Sequence, residues 1–340
     1  MSLSKPNSSA ATNTRLRTGS DFCPFSGMCV VCVEGCTGLC EIGKSAYRAA
    51  ENLYPQPFGG STSAAQKDYP IDFSHLNIMG TAVGAVGIEP DPDVATFPNV
   101  DLETAVGANG DITLRLPFVI PGLGSTDVAK NNWEGLAIGS AISGTILTIG
   151  ENICGMDKNS VIENGKVTHS PVMEKRVKLF QDWSDGYGAI VVQSNVEDTR
   201  LGVLEYVIDK LGVEIVELKW GQGAKDIGGE VKIRDLEKAQ MLRERGYIVL
   251  PDPEDPIVKD NFYKTFKEFE RHSRIGFVEE GSFMDRVQEL RDAGAKHIFL
   301  KTGAYRPADL ARAVKFASQA KLDLLTVDGA GGGTGMSPWR

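Results

Sequence analysis

From Pro117 to Val327 the sequence repeats one pattern, an apolar run that ends in glycine or polar residues followed by a stretch with helical patterning. No other feature restricts the fold as much. The apolar runs are Phe118–Ile120, Gly144–Ile149, Ala189–Gln193, Val213–Lys219, His297–Lys301 and Leu322–Val327. They are largely apolar instead of strictly alternating, which predicts strands buried on both faces, and so a parallel sheet with helices as crossovers. The clearest helical stretches are Arg200–Leu211, Ile233–Arg245, Ser282–Ala293 and Pro307–Gln319. Pro307 suits a first helical turn, where its missing N–H has no intrahelical partner to lose.

Two architectures share this pattern. A doubly wound sheet carries three spaced glycines in the turn after its first strand. Here that turn reads Pro121-Gly122-Leu123-Gly124-Ser125 and does not match. Polar residues instead follow strand after strand, as in a barrel whose site is built from its βα loops. The expected fold class is therefore α/β, of the (β/α)8 TIM-barrel type, incomplete, with about six of the eight strands that closure requires. Six strands leave two raw edges and lack the loops after strands seven and eight. The expectation that follows is a truncated or split product of a longer polypeptide.

Ahead of the barrel, assigned to residues 117–340, three segments are expected. Residues 1–20 are Ser/Thr/Asn-rich, offer little to bury, and read as a disordered tail. Residues 51–116 read as a connector with a short strand around Asp111–Leu116. Between them, residues 21–50 hold five of the six cysteines: Cys23, Cys29, Cys32, Cys36 and Cys40. The spacing from Cys29 to Cys40 lets one loop turn four thiolates toward a point, as a cubane cluster or tetrahedral zinc requires. Gly27, Gly35 and Gly38 permit such a wrap. An iron–sulfur cluster, a 4Fe-4S centre before other types, is favoured over zinc, with Cys29, Cys32, Cys36 and Cys40 as ligands and Cys23 able to replace any one of them. Cys154 stands alone and reads as an ordinary buried thiol.

The chain carries 36 Lys and Arg against 45 Asp and Glu, a net charge of −9, which argues against nucleic acid or an anionic membrane as partner. A substrate anion must then be caught locally, by placed lysines and backbone N–H groups. With no apolar run of membrane length and no secretory signal, the expected location is cytoplasmic. His75, His169, His272 and His297 show no metal spacing, and no Ser/His/Asp or Cys/His arrangement supports hydrolysis.

The strand ends supply the candidate site. They read Gly124 and Ser125, then Thr148 to Glu151, then Gln193, then Lys219 with Gln222 and Lys225, then Lys301, then the glycine run from Gly329 to Gly335. A flavin mononucleotide needs such a mixture: amides at its ring edge, a cation to hold the reduced anionic ring, and glycines that admit a phosphate to backbone N–H groups. One strand-end lysine alone is more often a solvated surface cation. Two of them, in glycine-containing loops after buried strands, favour a site.

At this point a resemblance becomes specific. Glu214 to Lys219, with Gly221-Gln222-Gly223-Ala224-Lys225 and Gly228-Gly229, resembles the lysine and Gln-Gly-Ala-Lys segment of the FMN-binding domain of glutamate synthase. Gly332-Gly333-Thr334-Gly335-Met336-Ser337-Pro338 resembles that domain's Gly-Gly-Thr-Gly-x-Ser-Pro loop. Thr148 to Glu151 is similar to its Thr-Gly-Glu-Gly loop, with Ile149 inserted and Asn152 in place of a glycine. The resemblance implies reduction of 2-iminoglutarate, formed from 2-oxoglutarate and ammonia, to L-glutamate by hydride from reduced FMN. It implies Lys219 and Lys301 near the flavin ring, Gln222 and Lys225 on the substrate, and the backbone of Gly332, Gly333 and Thr334 facing the cofactor. Gly124, Ser125, Thr148, Glu151 and Gln193 complete the expected flavin site. The family's three-cysteine motif after the Gly-Gly-Thr-Gly loop has no counterpart here, and neither has its N-terminal catalytic cysteine. Ammonia is then expected free or from a glutaminase partner, and electrons from ferredoxin or an NAD(P)H reductase. The alternatives kept open are an FMN-dependent oxidoreductase of another substrate and a catalytically silent electron-transfer subunit.

Overall fold

The computed structural model describes residues 101–220, 230–274, 276, 278–303 and 307–327. The expectations for the tail, the cysteine segment, and Gln222, Lys225, Gly332, Gly333 and Thr334 lie outside the described residues. The chain is an α/β protein built on six parallel strands: β3 (Val119–Leu123), β4 (Ile146–Ile149), β7 (Ala189–Ser194), β8 (Ile215–Lys219), β12 (His297–Thr302) and β13 (Leu324–Val327). Each strand neighbours the next in sequence, so the order runs β3-β4-β7-β8-β12-β13 without reversal. A doubly wound sheet reverses its order at a switch point; a barrel does not. The sheet curls as half of such a barrel.

Between these strands lie α1 (Asp127–Ser143), α2 (Ile153–Met156), α3 (Pro171–Gln181), α4 (Val196–Arg200), α5 (Val203–Leu211), α8 (Glu280–Asp292) and α9 (Pro307–Gln319). Local chemistry sets their ends. Thr126 caps α1 by accepting from Ala129 N at 3.2 Å, and Gly144 closes it in the left-handed region at φ +62°. The expected helix from Arg200 to Leu211 is broken, because Gly202 at φ +68° ends α4 and starts α5 on a new axis.

Period-2 alternation divides the sheet's side chains between two cores. Leu147, Ile149, Val192, Val216, Leu218, Ile298 and Leu300 point outward against Ala137, Val177, Leu204, Val207, Val287, Leu290 and Phe316 of the helices. Ile146, Val191, Ile215 and Phe299 point inward. Beneath them a hairpin, β1 (Thr104–Val106) with β2 (Ile112–Leu114), inserts Ile112 and Leu114 and closes the bottom of the half-barrel. Each such buried side chain contributes about 1.5–3 kcal/mol. The strand expected around Asp111–Leu116 is β2, and the connector supplies this plug. A second hairpin, β5 (Val161–Glu163) with β6 (Lys166–His169), lies between α2 and α3.

One region departs from the expected pattern. Between β8 and α8 the chain forms a three-stranded antiparallel sheet from β9 (Glu230–Ile233), β10 (Ile248–Leu250) and β11 (Phe269–His272), in the order β10-β11-β9, with α6 (Leu236–Glu244) and α7 (Pro256–Asn261). The expected helix Ile233–Arg245 therefore starts later. Ile233 is a buried strand residue, and Asp235 caps α6 by accepting from Lys238 N at 2.7 Å. Among the described residues no helix is long and apolar enough to cross a membrane.

Candidate functional site

Two residues beyond the inward apolar layer, the same strands on the same face carry polar groups: Thr148, Gln193, Glu217, Lys301 and Thr326, with Lys219 one step further out. Lys219 and Lys301 are Cα partners in the β8–β12 register, and Gln193 and Glu217 are partners in the β7–β8 register. Lys301 is 8% exposed, so it is not the solvated surface cation that a lone strand-end lysine usually is. Lys219 Nζ lies 3.0 Å from Glu151 Oε2, an ion pair whose side chains are both nearly buried. Gln193 Nε2 donates a short hydrogen bond to Glu217 Oε1.

Glu217 is the centre of this layer. Its carboxylate accepts from Gln193 and from the Thr326 hydroxyl and is attracted by Lys301 and Lys219, yet its burial outweighs these and pushes its pKa above the usual range. The four charged groups, Glu151 and Glu217 against Lys219 and Lys301, sum to zero. A charge-balanced layer can sit inside a barrel, because each ion finds its partner within it.

The exits of β3 and β4 are pressed backbone to backbone. A Cβ on Gly124 would stand 2.4 Å from Glu151 O, and one on Gly150 would stand 2.6 Å from Gly124 N, so neither position admits a side chain. Gly150 N donates to Leu123 O at 3.0 Å. Arg176 of α3 donates to Leu123 O at 3.2 Å and Gly124 O at 2.9 Å, and burial pulls its pKa down to about 10. Gly124 and Glu151 are thus joined, Thr148 is buried beneath them, and Ser125 is exposed beyond the turn.

Behind the layer, Asn152 holds a left-handed backbone at φ +69°. Asn tolerates that conformation better than other non-glycine side chains. Asn152 Oδ1 accepts from Asn195 Nδ2 at 3.1 Å and from Arg271 Nη1 at 2.9 Å, and Asn152 N donates to Asp198 Oδ2 at 2.9 Å. Burial pushes the Asp198 carboxyl up to about 7, reinforced by Glu151 and opposed by the two backbone N–H donors and Arg271. Alongside, buried Glu197 accepts from Arg274 N at 2.8 Å and from Arg274 Nη1 at 2.9 Å. Arg271 and Arg274 follow one another along and just past β11, so these bonds fasten the antiparallel sheet onto the exit of β7.

Sequence reasoning passed over several of these residues. Glu217 and Thr326 were findable, because a residue two before Lys219 or two after the inward Leu324 shares its face. The Asn195–Asp198 spacing is a capping box and marks a helix start. No sequence signal foretells that Arg271 is fully buried.

Residues 271–340 match the family model described as a conserved region in glutamate synthase. The match takes in α8, β12, α9 and β13, with Arg271, Lys301 and Thr326, and runs on through the glycine run. Glu151, Gln193, Glu217 and Lys219 lie outside it and join Lys301 and Thr326 through the sheet. No curated protein matches the chain. Among the described residues no group of three or more His, Cys, Asp and Glu is placed to hold a metal ion.

Proposed function

We propose that this strand-end layer binds FMN and that the chain is a glutamate synthase-type flavoenzyme subunit, forming L-glutamate from 2-oxoglutarate and ammonia by way of 2-iminoglutarate. The single observation that carries the reading is Lys219 beside Lys301 at the ends of adjacent parallel strands, the second of them inside the matched glutamate synthase region. The residues fit the cofactor. Gln193 Oε1 is buried and accepts no hydrogen bond among the described residues, which suits a ring N–H donor. Gly124 and Gly150 let the exits of β3 and β4 close on each other, which sets Glu151 against Lys219 at the rim.

Bound there, FMN supplies the hydride. The chain's own residues do the rest by position. Lys219 and Lys301 hold positive charge where a reduced ring is anionic, Gln193 orients the ring edge, and Gln222 and Lys225 hold the substrate carboxylate or keto group. Preset charges of this kind need no reorganisation as the reaction proceeds. A 4Fe-4S centre on Cys29, Cys32, Cys36 and Cys40 would relay electrons from ferredoxin or a reductase.

The test is anaerobic isolation of the protein. Flavin and iron–sulfur absorbance, with reoxidation of the reduced protein by 2-oxoglutarate plus ammonia, are expected. Reoxidation only by another acceptor points to a flavoenzyme of different substrate, and absence of flavin contradicts the proposal.

A further inference from the structure

The buried carboxylate of Glu217 has no counterpart among the site residues expected from the sequence, and its surroundings assign it work. It is 3% exposed, on the inward face, directly across from Phe299 in the β8–β12 register and two residues before Lys219 on the same strand. Four groups converge on it from four strands: Gln193 on β7, Lys219 on its own β8, Lys301 on β12 and Thr326 on β13. The nearest other anion in this layer, Glu151, sits in a loop and pairs with Lys219 only at the rim. A ligand anion entering from the strand ends competes with Glu151 for Lys219, whereas Glu217 lies beneath both lysines and stays.

We infer that Glu217 is a positioning residue, a buried counter-ion beneath Lys219 and Lys301 that holds both side chains aimed at the strand-end opening whether or not an anionic ligand is bound there. Two adjacent ammonium groups in a largely dry layer repel each other and would splay apart. An anion under both offsets that repulsion. The same anion tempers the hold on the ligand, since it repels any negative charge the lysines attract. Glu217 therefore sets an intermediate strength: enough positive charge to hold a reduced ring, and less than two bare lysines would give. This inference rests on the flavin reading for the identity of the ligand, and not for the role of Glu217 toward the lysines.

The test separates the two. The full chain, without added cofactor, is treated at neutral pH with formaldehyde and a borane reductant. Methylation of Lys219 and Lys301 is followed by peptide mass spectrometry against the exposed Lys210 as reference. Glu217→Gln is expected to raise the rate at both site lysines several-fold, because amines no longer held by the carboxylate reach the reagent more freely, and Glu217→Asp to leave it near wild type. Equal rates in Glu217→Gln and wild type overturn the inference. If Glu217→Gln does not fold, Lys301→Met carries the reciprocal test, in which the Glu217 carboxyl, read by 13C NMR, must titrate at higher pH than in wild type. An unmoved titration overturns the inference as well. With FMN bound, Glu217→Gln should also shift the two-electron midpoint upward, by about 30 mV for each tenfold gain in preference for the reduced ring. Wild-type protein that binds no flavin contradicts the proposed function and leaves the methylation result to decide this one.

Discussion

The inward face of the parallel sheet holds two layers built from the same strands two residues apart. The lower layer, Ile146, Val191, Ile215 and Phe299, is closed by Ile112 and Leu114 and is wholly apolar. The upper, Thr148, Gln193, Glu217, Lys301 and Thr326, is polar and holds four of its members almost as deeply buried. Burial is nearly equal and the purpose opposite. In the lower layer each group removed from water adds stability; in the upper layer each must be offset by a partner, and the offset is incomplete for Glu217. A fold tolerates such a layer where the groups serve a ligand.

The contrast can be broken experimentally, and the largest effect belongs to the lower layer. Phe299→Ala should cost about 3–5 kcal/mol in urea unfolding. A loss below ~1 kcal/mol would show that the plug does not seal the barrel. Arg271→Ala, which strips the buried donor from Asn152 Oδ1 and removes a cation near Asp198, should cost about 1.5–3 kcal/mol. Hydrogen exchange should show β9 to β11 losing protection before the parallel sheet.

Asp198 gives a pH signature. Its folded pKa is raised to about 7, above the unfolded carboxylate value, so the folded state holds the proton more tightly. The stability this confers is fully present below about pH 4 and is lost as pH rises through 7, with a slope of up to about 1.4 kcal/mol per pH unit. Asp198→Asn should remove that slope, seen as Tm measured from pH 4 to 8, and a slope identical to wild type would reassign it to another group.

Lys219→Met acts one step beyond the upper layer. Unfolding free energy should fall by about 3 kcal/mol, because Glu151 loses a nearly buried partner, while FMN affinity falls by about 1.5–3 kcal/mol, tenfold or more. Smallest of all, Ser125→Ala at the exposed turn should stay within about 0.5 kcal/mol and leave flavin affinity unchanged.

How much of this the sequence discloses follows from the same contrast. All six parallel strands were legible, because apolar runs buried on both faces differ in composition from everything around them. The lysines were legible as the charged ends of those runs. The antiparallel sheet was not: Glu230–Ile233, Ile248–Leu250 and Phe269–His272 are three or four residues long, and β11 puts Arg271 where an alternating strand carries an apolar residue. Its burial depends on Asn152, which lies 119 residues away in the chain. Pairings of that kind are set by the tertiary fold and leave no local pattern.

The most direct test is the flavin content of the protein isolated without oxygen, wild type against the Lys219→Met/Lys301→Met double variant. Wild type should retain FMN and the double variant should lose it while its far-UV circular dichroism stays that of the folded chain. Equal flavin in both, or none in the wild type, would contradict a flavin site at the strand ends.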